Sequence, residues 1–305
     1  MRKNILTAFL LFFFSISLKC SFAFNKNDSI FPSLNYKRLN GVLFAETTIY
    51  SGLLFSLNTL WYKDYPQSKF HFFNDNSEWL QMDKFGHAFS SYYSGKSGAE
   101  VFKWCGVSNT KALLIGGNIG WLFLSSVEIL DGRSKEWGFS IGDIAANSFG
   151  SVFYIGQELI FNEQRAIIKF SYSPSEYSKY RPNMLGKSFH ESLIKDYNAQ
   201  TYWLSFNLND FGLKKCPTWL NFALGYGADG MVGAFNNNIP ENQKVSVPVF
   251  ERNRQYYLSF DIDLNKIKTK NKFLKAVFKS CGFIKIPAPT LEIKGKNIKF
   301  HSLYF

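Results

Sequence analysis

Carboxylate and imidazole side chains recur in the first half of the chain, within segments that are otherwise apolar. Asp83 and His87 are four residues apart, which places them next to each other on one face of a helix. Glu128 and Asp131 close a later apolar segment, and Asp143 lies near the start of the next one. An unpaired charge in apolar surroundings is costly, so we expect these side chains to lie together. Acid and imidazole groups in one place can move protons or bind a divalent cation.

Two interpretations of these polar residues stay open. In the first interpretation these residues form a catalytic or metal site. The site would consist of one imidazole, which acts as the base or as a metal ligand, and three carboxylates: His87, Asp83, Glu128 and Asp143. The accompanying ligand-binding residues are two cations, which would hold an anionic head group, and one amide: Lys84, Arg133 and Asn147. This set could hold a divalent metal, although it fits no single metal sharply and leaves the cofactor open. The alternative is structural, because Ser140 and Asp143 fit a helix-capping box, and Glu128 could form an ordinary ion pair with Arg133.

Four apolar segments must position these residues. They cover residues 41–62, 83–104, 109–130 and 140–161. The uncharged run at 112–127 would reach only about 24 Å as a helix, short of a ~30 Å hydrocarbon core. Each segment is therefore marginal as a membrane span. Together they predict a membrane-associated bundle of about four helices, with an apolar exterior and a polar seam.

The second half of the chain changes to a period of two, which is typical of half-buried antiparallel strands. Five strands are predicted, the last two as a hairpin: 202–208, 220–226, 256–264, 291–293 and 298–300. Residues 266–279 interrupt them with six lysines and apolar residues on one helical face. Such a helix either lies on anionic lipid or packs its apolar face on the sheet. The predicted fold class is α+β, a helical bundle followed by a basic β-rich region.

Charge and the N-terminus point to the cell envelope. The formal net charge is +12, and residues 164–305 hold 21 Lys and Arg against 10 Asp and Glu. Arg2 and Lys3 precede an apolar run, and a small-residue site at Ala23 predicts cleavage of a secretory signal peptide. Lys19 directly before Cys20 disfavours lipidation of that cysteine. An exported basic protein with 18% aromatic residues is expected to meet anionic membrane lipid and no nucleic acid. The predicted domains are a signal peptide at 1–23, a helical domain at 24–165 and a basic β-rich region at 166–305.

Three motifs carry a resemblance to known families. They are MDKFGHAF at 82–89, EILDGR at 128–133 and WGFSIGDIAANSFG at 137–150. In this order and spacing they look like the YfiM-like family, described as predicted periplasmic lipoproteins of unknown function. They are also similar to the VanZ-like pattern of small helical membrane proteins, which are linked to glycopeptide tolerance without an established reaction. The resemblance covers roughly residues 40–165, and by it the marked positions are Asp83, Lys84, His87, Glu128, Arg133, Asp143 and Asn147.

Two functions follow as hypotheses. The first is a structural or lipid-interacting protein of the bacterial envelope, exported and membrane-associated, in which the polar residues hold the helices together. It is favoured because the sequence contains no nucleophile elbow, no phosphate-binding glycine-rich loop and no His-Glu-x-x-His motif. The second is a membrane-interface hydrolase or transferase that acts on a lipid or glycan carrier through the same residues.

Overall fold

The computed structural model describes residues 33–60, 62–212, 214–238 and 248–305. It combines helices with one antiparallel sheet, which confirms the α+β class. The predicted signal peptide lies outside the described residues. The described chain divides into two compact units, each built from three stretches. The helical unit comprises residues 33–75, 87–164 and 270–280, and the sheet unit comprises residues 76–86, 165–269 and 281–305, less the gaps named above.

The helices are numbered in chain order. Their bounds are α1 Tyr36–Leu60, α2 Met82–Trp104, α3 Asn109–Gly116, α4 Ile119–Asp131, α5 Ile141–Phe161, α6 Pro182–Leu185, α7 Phe189–Lys195 and α8 Lys272–Cys281. The helical unit contains α1, α2 from His87 onward, α3, α4, α5 and nearly all of α8. Three of the four predicted apolar segments form single helices. The segment at 109–130 instead forms α3 and α4, because two glycines and Asn118 weaken the helix between them.

Glycines bring α2 against its neighbours in the helical unit. A Cβ atom on Gly95 would lie 2.3 Å from the carbonyl oxygen of Gly117, between α3 and α4. On α5, a Cβ atom on Gly150 would lie 2.1 Å from the carbonyl oxygen of Ala88. No real Cβ atom fits at these distances, so the backbones could not approach as they do if either glycine were larger. This close packing brings the polar residues of α2 next to those of α5.

The sheet contains six strands in sequential order, each antiparallel to the next. Their bounds are β1 Ala166–Tyr172, β2 Gln200–Asn207, β3 Leu220–Asp229, β4 Asn253–Ile262, β5 Ala288–Lys294 and β6 Asn297–Tyr304. The predicted β5–β6 hairpin is confirmed. The sequence did not reveal β1, because Ile167, Ile168 and Lys169 are buried in succession and hide the alternation.

A later segment of the chain covers the outer edge of β1. The backbone N–H of Phe170 donates to the carbonyl of Phe283 at 2.9 Å, and the N–H of Lys285 donates to the carbonyl of Phe170 at 2.9 Å. This segment pairs parallel to β1 and leads directly into β5. The core beneath the sheet contains Trp203 and Tyr257, with Tyr304 packed against them.

Candidate functional site

Helix boundaries position the polar residues of the helical unit. His87 lies on α2, Glu128 lies in the last turn of α4, and Asp143 lies in the first turn of α5. The hydroxyl of Ser140 accepts the backbone N–H of Asp143 at 3.0 Å, so one half of the predicted capping box is present at the start of α5. Within the described residues, the N–H of Ser140 donates to Glu128 and not to Asp143. We call His87, Glu128, Asp143 and Asn147 the polar cluster.

The His87 ring bridges two residues of α5. Its Nδ1 lies 3.1 Å from the side-chain oxygen of Asn147, and its Nε2 lies 3.7 Å from Oδ1 of Asp143. An amide oxygen only accepts hydrogen bonds, so Nδ1 carries the proton in this contact. When the ring is neutral, Nε2 therefore carries a lone pair on the side of Asp143. The distance to Asp143 is too long for a direct hydrogen bond but permits both atoms to contact one cation or one polar ligand atom.

Glu128 is the buried acid of the polar cluster. Only 2% of its surface is exposed, and its carboxylate accepts the backbone N–H of Ser140 at 3.3 Å. Burial raises the pKa of Glu128 to about 8, the negative charges of Asp143 and Asp131 contribute in the same direction, and His87 opposes them. At neutral pH most molecules therefore carry a protonated Glu128, which can donate a proton.

Two further residues join this network and were not identified from the sequence. The Tyr62 hydroxyl donates to Asp131 at 2.5 Å, and burial and the charge of Asp131 raise the Tyr62 pKa. The Ser140 hydroxyl donates to Asp75 at 2.6 Å. Asp75 lies in a polar segment whose composition predicts only a loop. The sequence therefore does not predict this contact.

Asn147 is completely buried, and one of its polar atoms is unsatisfied. Its backbone carbonyl accepts the hydroxyl of Ser91 at 2.7 Å, and its side-chain oxygen faces His87. Its side-chain nitrogen has no hydrogen-bond partner among the described residues. An unpaired buried donor is costly, so this nitrogen marks a place where a ligand acceptor or water would be stabilised.

The remaining predicted site residues have other surroundings. Asp83 lies one turn before His87 on α2, accepts the Tyr197 hydroxyl at 2.8 Å and pairs with Lys84 at 3.2 Å. Arg133 follows α4 and is exposed. Glu128 and Arg133, both within the described chain, form no ion pair, because one is buried and the other lies at the surface. Asp83 and Lys84 belong to the sheet unit, whereas His87 and Asp143 belong to the helical unit.

The comparisons with known proteins concern this same region. Residues 71–156 match the model of a family described as predicted periplasmic lipoprotein (DUF2279), whose function is unknown. The matched stretch contains all seven predicted site residues. No curated protein and no solved structure matches the chain. The comparison therefore supports an exported, envelope-associated protein whose residues 71–156 are similar to a periplasmic family of unknown function.

Proposed function

We propose that this chain is a membrane-associated protein of the bacterial envelope, whose helical unit is a bundle that contacts lipid through its apolar exterior. The observation that carries the proposal is the exposure of large apolar side chains on successive helices. Phe44 of α1 is 75% exposed, and Val152 and Ile160 of α5 are 67% and 71% exposed. The helices α3 and α4 contribute Leu114, Ile115, Leu122 and Ile129. Exposed apolar surface of this extent marks a site of interaction with a membrane or a partner.

The helical unit is placed against the membrane in this proposal. On length and composition alone, one helical stretch of the described chain, Asn109–Asp131, is apolar enough to cross a bilayer. The break between α3 and α4 interrupts that stretch, and its last turn holds the buried, hydrogen-bonded Glu128. We therefore assign the exposed side chains to the interfacial region, with the polar cluster enclosed behind them.

The basic helix α8 supports the choice of an anionic membrane. It buries Ala276 and Ser280, while Phe273 and Leu274 are exposed beside its lysines. Lys279 pairs with Glu100 of α2 at 2.9 Å, which fixes one end of the helix on the helical unit. Exposed apolar and cationic side chains on one helix are typical of contact with anionic lipid.

A flotation assay tests this proposal. We expect the purified chain to float with vesicles of phosphatidylethanolamine and phosphatidylglycerol. Val152→Asn with Ile160→Asn should lower the bound fraction, because both side chains lose their favourable transfer into lipid. The matched control, Val152→Ile with Ile160→Leu, keeps both positions apolar and should bind as the wild type does. Equal binding of all three proteins would overturn the assignment of this face.

A second candidate function is a hydrolase or transferase that acts on a lipid or glycan carrier at the polar cluster. The specific observation in its favour is the unpartnered Asn147 nitrogen, which lies beside the His87 ring and near a protonated Glu128. His87 would act as the base or bind a divalent metal with Asp143, and Glu128 would supply a proton.

Elemental analysis separates the two roles of the polar cluster. It compares detergent-purified wild type with His87→Ala and with the control His71→Ala, which changes a histidine in a loop of the helical unit. A stoichiometric divalent metal that only His87→Ala loses would favour the enzyme. No metal in any of them, with a lower melting temperature for His87→Ala alone, would favour a structural role.

A further inference from the structure

The sheet unit buries charged side chains, and one buried ion pair has several internal hydrogen-bond partners. Lys169 and Asp261 are both fully buried, and Nζ of Lys169 lies 2.6 Å from Oδ2 of Asp261. The Ser205 hydroxyl donates to the same carboxylate at 2.6 Å, and the backbone N–H of Ile286 donates at 3.1 Å. Lys285 is also buried, and its Nζ donates to the carbonyl of Ile286 at 2.7 Å. One face of the sheet therefore carries buried paired charges beside the Trp203 and Tyr257 core.

The opposite face of the sheet is apolar across all six strands. Strand pairing aligns its side chains in three rows, since alternate residues share a face. The rows are Tyr202, Tyr226, Tyr256, Ile293 and Ile298; then Ile168, Leu204, Leu224, Leu258, Leu291 and Phe300; then Phe206, Phe222 and Phe260. We call these rows the outer sheet face.

Much of the outer sheet face is open to solvent, whereas Ile168 and Tyr202 are buried and Phe85 stacks on Tyr226 at 4.7 Å. Ile298 is 72% exposed, and Phe260 is 51% exposed in the middle of the sheet. Sheets of water-soluble proteins turn their apolar face toward the core and their polar face outward. Here the inner face combines paired charges with the Trp203 and Tyr257 core, and rows of aliphatic and aromatic side chains lie on the outer face. An outward apolar face of this kind is typical of strands that face lipid.

We infer that the outer sheet face inserts into the acyl-chain region of one membrane leaflet. From the tyrosine row to the phenylalanine row, Tyr256 to Phe260, the strand advances about 14 Å. This length matches about half of a ~30 Å hydrocarbon core. The inference extends beyond the proposed function, because it rests on the sheet unit and uses no residue of the helical unit.

Charge at one end of the strands fits the head groups of an anionic leaflet. Arg254 follows the tyrosine row on the same face and donates to the neutral side chain of Gln81 at 2.8 Å. Arg252 donates to the backbone carbonyls of Gly233 and Ala234, at 2.7 and 2.6 Å. Among the residues that the structure describes, neither arginine pairs with a carboxylate. Tyrosines beside cations, with aliphatic rows beyond them, match the order of layers from head group to acyl chain.

Photolabelling from within the membrane tests the inference directly. The full chain is bound to vesicles of phosphatidylcholine and phosphatidylglycerol that contain a phospholipid with a photoreactive group on its acyl chain, and labelled peptides are mapped. We expect label on peptides of β4 and β6. Label on α1 and α5 peptides but none on any strand would overturn the inference and leave the proposed function standing. Label on the strands alone would support the inference and overturn the proposed lipid contact of the helical unit.

Two double variants give an independent measure. Phe260→Asp with Ile298→Asp should lower the vesicle partition coefficient about tenfold or more, because two apolar side chains lose transfer energy and two charges resist it. Phe260→Leu with Ile298→Leu keeps the face apolar and should partition as the wild type does. Unchanged near-ultraviolet circular dichroism confirms that the variants fold. Unchanged partition of the aspartate variant would overturn the inference. It would also be overturned if the wild type formed a dimer and did not bind vesicles, and if the aspartate variant were a monomer.

Discussion

Replacing Glu128 by glutamine tests whether burial holds this carboxyl group in its protonated form. The ordinary pKa of 4.5 applies to the unfolded chain, whereas the pKa is about 8 in the folded protein. Between these values the folded state holds a proton that the unfolded state has lost. Stability must therefore fall as the pH rises from about 4.5 to about 8, and it must level off above that range.

The expected effect is large enough to measure. One proton contributes a slope of at most about 1.4 kcal/mol per pH unit, so the wild type should lose about 3 kcal/mol between about pH 5 and pH 8 through this group. Glutamine has nearly the same volume, cannot ionise, and keeps an oxygen that can accept the N–H of Ser140. Glu128→Gln should therefore remove this contribution and leave the remaining pH dependence in place.

The measurement is the free energy of unfolding in denaturant across this pH range, followed by tryptophan fluorescence. The difference between wild type and Glu128→Gln reports the buried carboxyl group together with its electrostatic coupling to His87, Asp143 and Asp131. Glu136→Gln, which changes an exposed glutamate of the same unit, is the matched control. Parallel pH profiles for wild type and Glu128→Gln would refute the reasoning, whatever the offset between them.

Two further predictions concern packing and a second buried charge. Gly150→Ala should destabilise the protein by about 2 kcal/mol because its Cβ would meet the carbonyl of Ala88, whereas Gly156→Ala on the same helix meets nothing within 4 Å and should stabilise it by up to about 1 kcal/mol. Thermal unfolding of the two variants checks this contrast, and equal shifts would contradict it. Burial lowers the pKa of Lys285 to about 8, so its folded form favours the neutral amine, and wild-type stability should rise as the pH increases from about 8 to about 10.5. Lys285→Met should abolish that rise in denaturant unfolding, and a rise that persists would show that another group causes it.

Patterns of apolar residues predicted most of the fold. The period-two runs identified β2 to β6, because each of these strands turns one apolar face outward and one polar face inward. The strand β1 was missed because successive residues at 167–169 are buried on both of its faces. The break between α3 and α4 was also missed, because hydropathy does not report the low helix propensity of Gly116, Gly117 and Asn118.

The polar cluster was predicted in part. Helix spacing placed His87, Glu128, Asp143 and Asn147 on three helices whose apolar surroundings favour contact between them, and the structure brings these four side chains together. Asp75 and Tyr62 could not be predicted, because a loop aspartate and a tyrosine near a helix end have no pattern that identifies their partners. Residue types likewise predicted an ion pair for Arg133 but could not show that it lies at the surface.

The segment that covers the edge of β1 sets the order in which the chain can complete its fold. Phe283 and Lys285 pair with a strand formed much earlier in the sequence, and α8, shortly before them, adds Lys279 to the helical unit. A chain that emerges N-terminus first therefore finishes neither unit until residues 270–285 have arrived. Contacts between residues so distant in sequence slow folding, and the edge of β1 stays unpaired until then. For an exported protein, slow folding of this kind favours transport of the chain in an unfolded form.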